Sequence, residues 1–169
     1  MTLTGQICGK PLLKRKARPD INRRSTKIMG EESPMPQKIM MGAKALVAAA
    51  KAEITEYSAG EAIELSKRPD VLLVDIRDPR ELAREGKIPG AFHCPRGMLE
   101  FWIDPESPYF KPVFGEDRTF IFFCAGGMRS ALATKTAQDM GLKPVAHIIG
   151  GFGAWRSAGG PIEGPATDR

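Results

Sequence analysis

The sequence is short of the features that would place it in several broad classes. No apolar run approaches the roughly 18 residues of a membrane-spanning helix, so no membrane association is expected. Its three cysteines, Cys8, Cys94 and Cys124, are odd in number and far apart, which does not describe a disulfide framework. There are two histidines, and no C-x-x-C or H-x-x-x-H spacing accompanies the adjacent His93 and Cys94. Neither a metal nor another cofactor is therefore expected. No internal repeat occurs. What is there, 42% hydrophobic and 27% charged residues in a chain of 169, fits one globular domain with a core of ordinary size.

The net charge of +5 is unevenly placed. Residues 1–30 carry Lys10, Lys14, Arg15, Lys16, Arg18, Arg23, Arg24 and Lys27 against the single acid Asp20. The rest of the chain is slightly acidic, so the basic character belongs to a tail. With few large apolar residues and no helical period, residues 1–34 are expected to be disordered. A targeting peptide, an arm for nucleic acid or a membrane surface, and sequence upstream of a later start at Met29 or Met35 are competing readings. The tail has no apolar core of a signal peptide. A cytoplasmic protein without a nucleic-acid partner is the expectation. Residues 35–52 are read as an amphipathic helix leading into the domain, 53–163 as the domain and 164–169 as a polar tail.

The chain is organised around T-F-I-F-F-C-A-G-G-M-R at 119–129. Phe120 to Phe123 form a short apolar run suited to a strand buried on both faces. Ala125, Gly126 and Gly127 then permit a tight turn, and a helical pattern follows from about Ser130 to Met140, with Gly141 as its stop. Cys124 thus falls on a strand–loop–helix junction at the C-terminal edge of a sheet, where open α/β sheets bind ligands. Unpaired amides of the loop and helix start attract anions, and Arg129 adds a full charge. These groups favour the thiolate, which is the nucleophilic form. No His, Asp or Glu lies between Cys124 and Ser130. That favours an attack that removes no proton beyond the thiol's own. The competing reading of Cys124 is a small apolar residue closing a strand.

At these residues the sequence resembles the rhodanese family of sulfurtransferases. The match is C-A-G-G-M-R-S at 124–130, with V-L-L-V-D-I-R-D-P-R-E-L at 71–82, G-K-I-P-G-A-F at 86–92 and H-I-I-G-G-F-G-A-W at 147–155 in family order. The resemblance implies an α/β fold: a five-stranded parallel sheet with helices on both faces. It also implies that Cys124 takes a sulfane sulfur from thiosulfate or a similar small anionic donor, becomes a persulfide, and passes the sulfur to a thiol, cyanide or a protein cysteine. Ala125, Gly126, Gly127, Met128 and Arg129 would bind the donor. In the family the charged residues after the 71–76 strand mainly pin loops around the site. Asp75 and Arg77 are expected to do so here, with substrate contact as the alternative. Many relatives carry His where this chain has Lys87, which removes one polar neighbour from the usual picture.

The remaining elements follow from local signals. Residues 37–52 read as a helix with an apolar stripe at Ile39, Met40, Ala43, Leu46, Val47 and Ala50, expected to pack on the domain. Residues 53–57 suit an edge strand. Ser58 with Glu61, and Asp78 with Glu81 around Pro79, are capping boxes. Glu81 and Arg84 are expected to form a solvated pair. Cys94, before a proline and without a basic cluster, reads as structural rather than as a thiol that resolves Cys124. His93 and His147 read as structural too. The long 97–118 connection is expected to start as a helical turn, and Trp102 either walls the entrance to the Cys124 pocket or covers a sheet edge.

Three function classes compete. The favoured one is a sulfurtransferase using Cys124. A non-catalytic or regulatory module binding a protein partner is the alternative. A phosphatase or arsenate reductase on the same scaffold is disfavoured, because four residues rather than five separate Cys124 from Arg129 and no general acid is evident nearby. The oligomeric state is not legible.

Overall fold

The computed structural model describes residues 37–164. Five strands, β1 (Thr55–Tyr57), β2 (Val71–Asp75), β3 (Phe92–His93), β4 (Thr119–Phe123) and β5 (Val145–Ile148), form one sheet in the order β1-β5-β4-β2-β3. Every pairing is parallel. The fold class expected from the resemblance is the one observed.

Alternation along β4 explains why its apolar run is continuous. Phe120 and Phe122 face one core with Val74, Leu99, Phe114, Ala133 and Ala137. Ile121 and Phe123 face the other with Leu73, Ala59, Ala62, Ile148, Phe152 and Trp155. Successive side chains of a strand point to opposite sides, so a strand clad on both sides has no polar face. Helices α4 (Leu99–Ile103) and α5 (Met128–Asp139) cover the first side, and α2 (Ala59–Leu65) and α6 (Gly151–Ser157) the second.

Both capping boxes form. Ser58 Oγ accepts the Glu61 N–H while Glu61 accepts the Ser58 N–H, and Asp78 and Glu81 do the same at the start of α3 (Pro79–Glu85), with Pro79 at its first position. Helix α3 buries no residue. Polar contacts at its ends must therefore set its place.

The first helix is shorter than expected. Helix α1 covers Ala43–Lys51, opening at Gly42. Only Val47 and Ala50 of its stripe are buried, whereas Ile39, Met40 and Leu46 are exposed. Val47 packs with Ile54 against Ala131 of α5; a three-residue contact needs no longer stripe. Helix α5 begins two residues earlier than the helical pattern suggested, because Gly127 makes the turn with φ +90°. The basic tail 1–34 and residues 165–169 lie outside the described residues. No helix among the described residues is long and apolar enough to cross a membrane.

Candidate active site

The sheet register brings the site together. Asp75 of β2 stands beside Phe123 of β4 on one side and His93 of β3 on the other. Cys124 comes one residue past that row, at the C-terminal edge. It is buried, yet with Gly126, Met128 and Arg129 it lines a cavity of about 380 Å³. A larger cavity of about 530 Å³, lined by Tyr57, Gly60, Glu61, Glu64 and Leu65, holds no cysteine.

The loop from Cys124 to Gly127 closes on the sulfur. The Gly127 N–H donates to Cys124 Sγ at 3.2 Å. The amides of Ala125, Gly126, Met128, Arg129 and Ser130 have no acceptor among the described residues. Unpaired amides at a helix start are partial positive charges available to an anion. The carbonyls of Cys124 and Ala125, by contrast, are occupied. Phe152 N–H donates to the Cys124 carbonyl at 2.7 Å, and Gly153 N–H to the Ala125 carbonyl at 3.0 Å. The start of α6 therefore takes up the acceptors and leaves the donors free.

Two glycines make this possible. A Cβ at Gly127 would meet the Gly150 nitrogen at 3.0 Å, and its φ of +90° suits only glycine well. At Gly151, with φ +58°, a Cβ would lie 2.1 Å from the Cys124 carbonyl oxygen. The Gly150-Gly151 pair, read from sequence as a turn, is thus also the platform under the Cys124 loop.

A buried polar chain supports the loop from behind. Ser130 Oγ donates to the Gly127 carbonyl at 3.1 Å and lies 3.3 Å from His147 Nδ1. His147 Nε2 meets Glu56 at 2.6 Å, and Glu56 pairs with Lys51. Burial lowers the His147 pKa, against the opposing pull of Glu56. The structural reading of His147 holds, and so does that of His93, whose Nε2 bonds the Arg77 carbonyl at 2.9 Å.

Asp75 and Arg77 do not line the cavity. Both are buried, and Arg77 grips Asp75 through Nε and Nη2, with Nη2 also donating to the Gly86 carbonyl at 2.9 Å. The guanidinium lies 3.9 Å from the Phe152 ring centroid. Its Nη1 has no hydrogen-bond partner among the described residues and stands 3.6 Å from Glu85. The pair ties β2 to the end of α3 and the start of α6, a loop-pinning arrangement.

One open alternative is decided and two expectations need correction. Trp102 does not line the cavity: it packs edge-on to Phe92 at 6.0 Å, under the Lys111 ammonium. It covers the β3 edge because Phe92 and Phe114 offer it apolar surface there. Arg129 is not a free charge. Its Nη1 and Nη2 bond the two Glu81 oxygens, each at 2.8 Å. Consequently Glu81 does not pair with Arg84, which reaches Glu85 instead. A bidentate guanidinium–carboxylate fork is stronger than a solvated pair on one helix. Glu81 was missed because its partner lies 48 residues along the chain; no local spacing signals it.

The hydrogen bonds to Arg129 are the main cause holding the Glu81 carboxyl far below its ordinary value, at about 2. They also raise Arg129, with the nearby Cys124 sulfur contributing. Cys94 is fully buried, and burial pushes its thiol up to about 12. Lys87 stands apart, pairing with Glu163 across an isolated antiparallel bridge. No cluster among the described residues could hold a metal ion.

This geometry can be set beside known proteins. A sulfurtransferase of Allochromatium vinosum is 35% identical over 101 residues, covering 60% of this chain and 86% of the relative. A protein of unknown function from Rhodopseudomonas palustris, described as a possible tyrosine phosphatase, is 66% identical with a TM-score of 0.74, over 76% of this chain and 99% of the other. The polysulfide-sulfur transferase homodimer of Wolinella succinogenes is 34% identical with a TM-score of 0.56, over 75% and 90%. The family model for the rhodanese-like domain matches residues 58–158. That span runs from the first capping box to the end of α6 and contains the Cys124 loop, and the chain belongs to the rhodanese-like domain family.

Proposed function

We propose that the protein is a sulfurtransferase that moves a sulfane sulfur from thiosulfate or a similar donor to a thiophilic acceptor through a persulfide on Cys124. The observation that carries this reading is the cradle: a cysteine that lines a cavity and whose sulfur accepts the Gly127 N–H, on a loop whose neighbouring amides have no acceptor among the described residues. The Cys124 thiolate attacks the outer sulfur of thiosulfate. The donor S–S bond breaks, sulfite leaves with the electron pair, and a new S–S bond forms on Cys124. The amides of Ala125 through Arg129 hold the anion first and the persulfide afterwards. A small thiol, cyanide or a protein cysteine then attacks the outer sulfur and restores the thiolate. No general base is required, in keeping with a cavity lined only by Cys124, Gly126, Met128 and Arg129. A thiol used in this way suits a reducing compartment such as the cytoplasm.

The name attached to the Rhodopseudomonas relative raises a phosphatase reading. Against it stand the short Cys124–Arg129 interval, the engagement of Arg129 with Glu81, and a cavity lining without a carboxylic acid for the leaving group.

The test is intact and peptide mass after mixing with thiosulfate. The expected result is one added sulfur atom on the Cys124 peptide, absent in Cys124→Ser. Absence of the adduct in the native protein, with turnover of an aryl phosphate, would transfer the assignment to phosphatase chemistry. Absence of both would leave the regulatory, partner-binding module.

A further inference from the structure

We propose that Glu81 sets donor specificity: by holding Arg129 in a two-pronged ion pair it cancels the one full positive charge among the cavity-lining residues and biases the site against strongly charged donors. The inference rests on the sulfurtransferase reading above. Glu81 acts through Arg129 and is a positioning residue.

The geometry makes Glu81 the fixed partner. Its Oε2 already accepts the Asp78 N–H at 3.0 Å as half of the capping box at the start of α3. Arg129 is the more exposed member, with a side chain 43% accessible against 18% for Glu81. Both guanidinium nitrogens that reach Glu81 do so at 2.8 Å, so the fork is filled. The carboxylate stays ionised at any pH at which a thiolate nucleophile is useful, and the pair remains neutral throughout.

An incoming dianion therefore meets a thiolate, a neutral pair and the unpaired loop amides. The amides attract the donor by their dipoles, but no uncompensated cation offsets the repulsion from the thiolate. A monoanion with the same reacting bond suffers about half that repulsion. Removing one negative charge a few ångströms from a bound dianion in a half-wet site changes affinity by roughly tenfold, and a monoanion by roughly threefold.

The experiment compares native protein with Glu81→Gln on two donors, thiosulfate and methanethiosulfonate. In each the outer sulfur moves to Cys124, and sulfite or methanesulfinate leaves with the electron pair. Glutamine keeps the capping box, which accepts Gln as well as Glu at that position. The expected result is a KM for thiosulfate about tenfold lower and for methanethiosulfonate about threefold lower, with kcat not raised for either. The difference between donors should shrink in high salt. Glu81→Asp, which keeps the charge but is too short for the full fork, should fall between Gln and the native protein.

An unchanged or raised thiosulfate KM in a folded Glu81→Gln protein, or equal shifts for both donors, would overturn the assignment while leaving sulfur transfer standing. Failure of the native protein to gain sulfur on Cys124 from either donor would overturn both.

Discussion

At the scale of single residues, the two described cysteines show how environment separates chemistry. Cys94 and Cys124 are both buried and share one apolar cluster. Burial pushes the Cys94 thiol up to about 12, so it stays protonated at neutral pH and is inert. Cys124 instead opens on a cavity. Brief treatment with iodoacetamide at pH 8 is expected to label the Cys124 peptide and leave Cys94 unmodified until urea is added, as read by peptide mass. Equal labelling in the folded protein would contradict the burial argument. Arg77 is the other decisive residue. Removing one member of a buried pair strands the other charge, at a cost of about 3–5 kcal/mol. Arg77→Met should lower stability by that order in urea titration, chiefly through the stranded Asp75 carboxylate.

Element-scale behaviour is clearest in α3 and α6. Helix α3 buries nothing, so its place beside the site depends on its caps, on the Arg77 contacts and on the Glu81–Arg129 fork. The Glu81 carboxyl has an ordinary value of 4.5 and titrates at about 2 in the folded chain. The unfolded chain thus binds more protons between these values, and stability falls as pH falls through that window. The contribution is complete above pH 4.5. Arg129→Ala removes its main cause, so the variant should show a flatter loss of urea midpoint between pH 4.5 and the lowest pH tested. An acid slope equal to that of the native protein would remove the fork from this role. Helix α6 acts on the loop through its first turn. Gly151→Ala places a Cβ 2.1 Å from the Cys124 carbonyl, so the loop must shift. The expected outcome is loss of most of the sulfur adduct with the circular dichroism of the sheet and helices retained.

At the scale of the described fold, the sheet separates two apolar cores. Trp155 is fully buried in one, with its indole N–H donating to the Pro161 carbonyl at 3.0 Å. Trp155→Ala should cost about 3–5 kcal/mol, seen as a lower urea midpoint. A loss under 1 kcal/mol, on the order of a surface substitution, would show that this side collapses to fill the cavity.

Much of this architecture was legible before any coordinate. The β4 run, both capping boxes, the edge strand before Ser58 and the cysteine at a strand–loop–helix junction are local patterns. Each is written in a few neighbouring residues whose backbone preferences or hydrogen bonds act over three or four positions. The α1 boundary was not legible, because Ala-rich propensity extends past the point where tertiary contact stops. Trp102 was left open between two places, because an aromatic in a long connection can serve either face until Phe92 and Phe114 supply a partner.

By itself, then, the sequence determined the buried β4 strand, the place of Cys124 on a strand–loop–helix junction and the amides around it, since short-range sterics and alternating burial suffice for these, while the parallel sheet followed from the family resemblance of its motifs. Only the tertiary structure decided that Arg129 is held by Glu81, that Asp75 and Arg77 are scaffolding, and that α6 occupies the loop carbonyls. Charges find partners by distance in space, and the sheet register, not chain proximity, sets those distances.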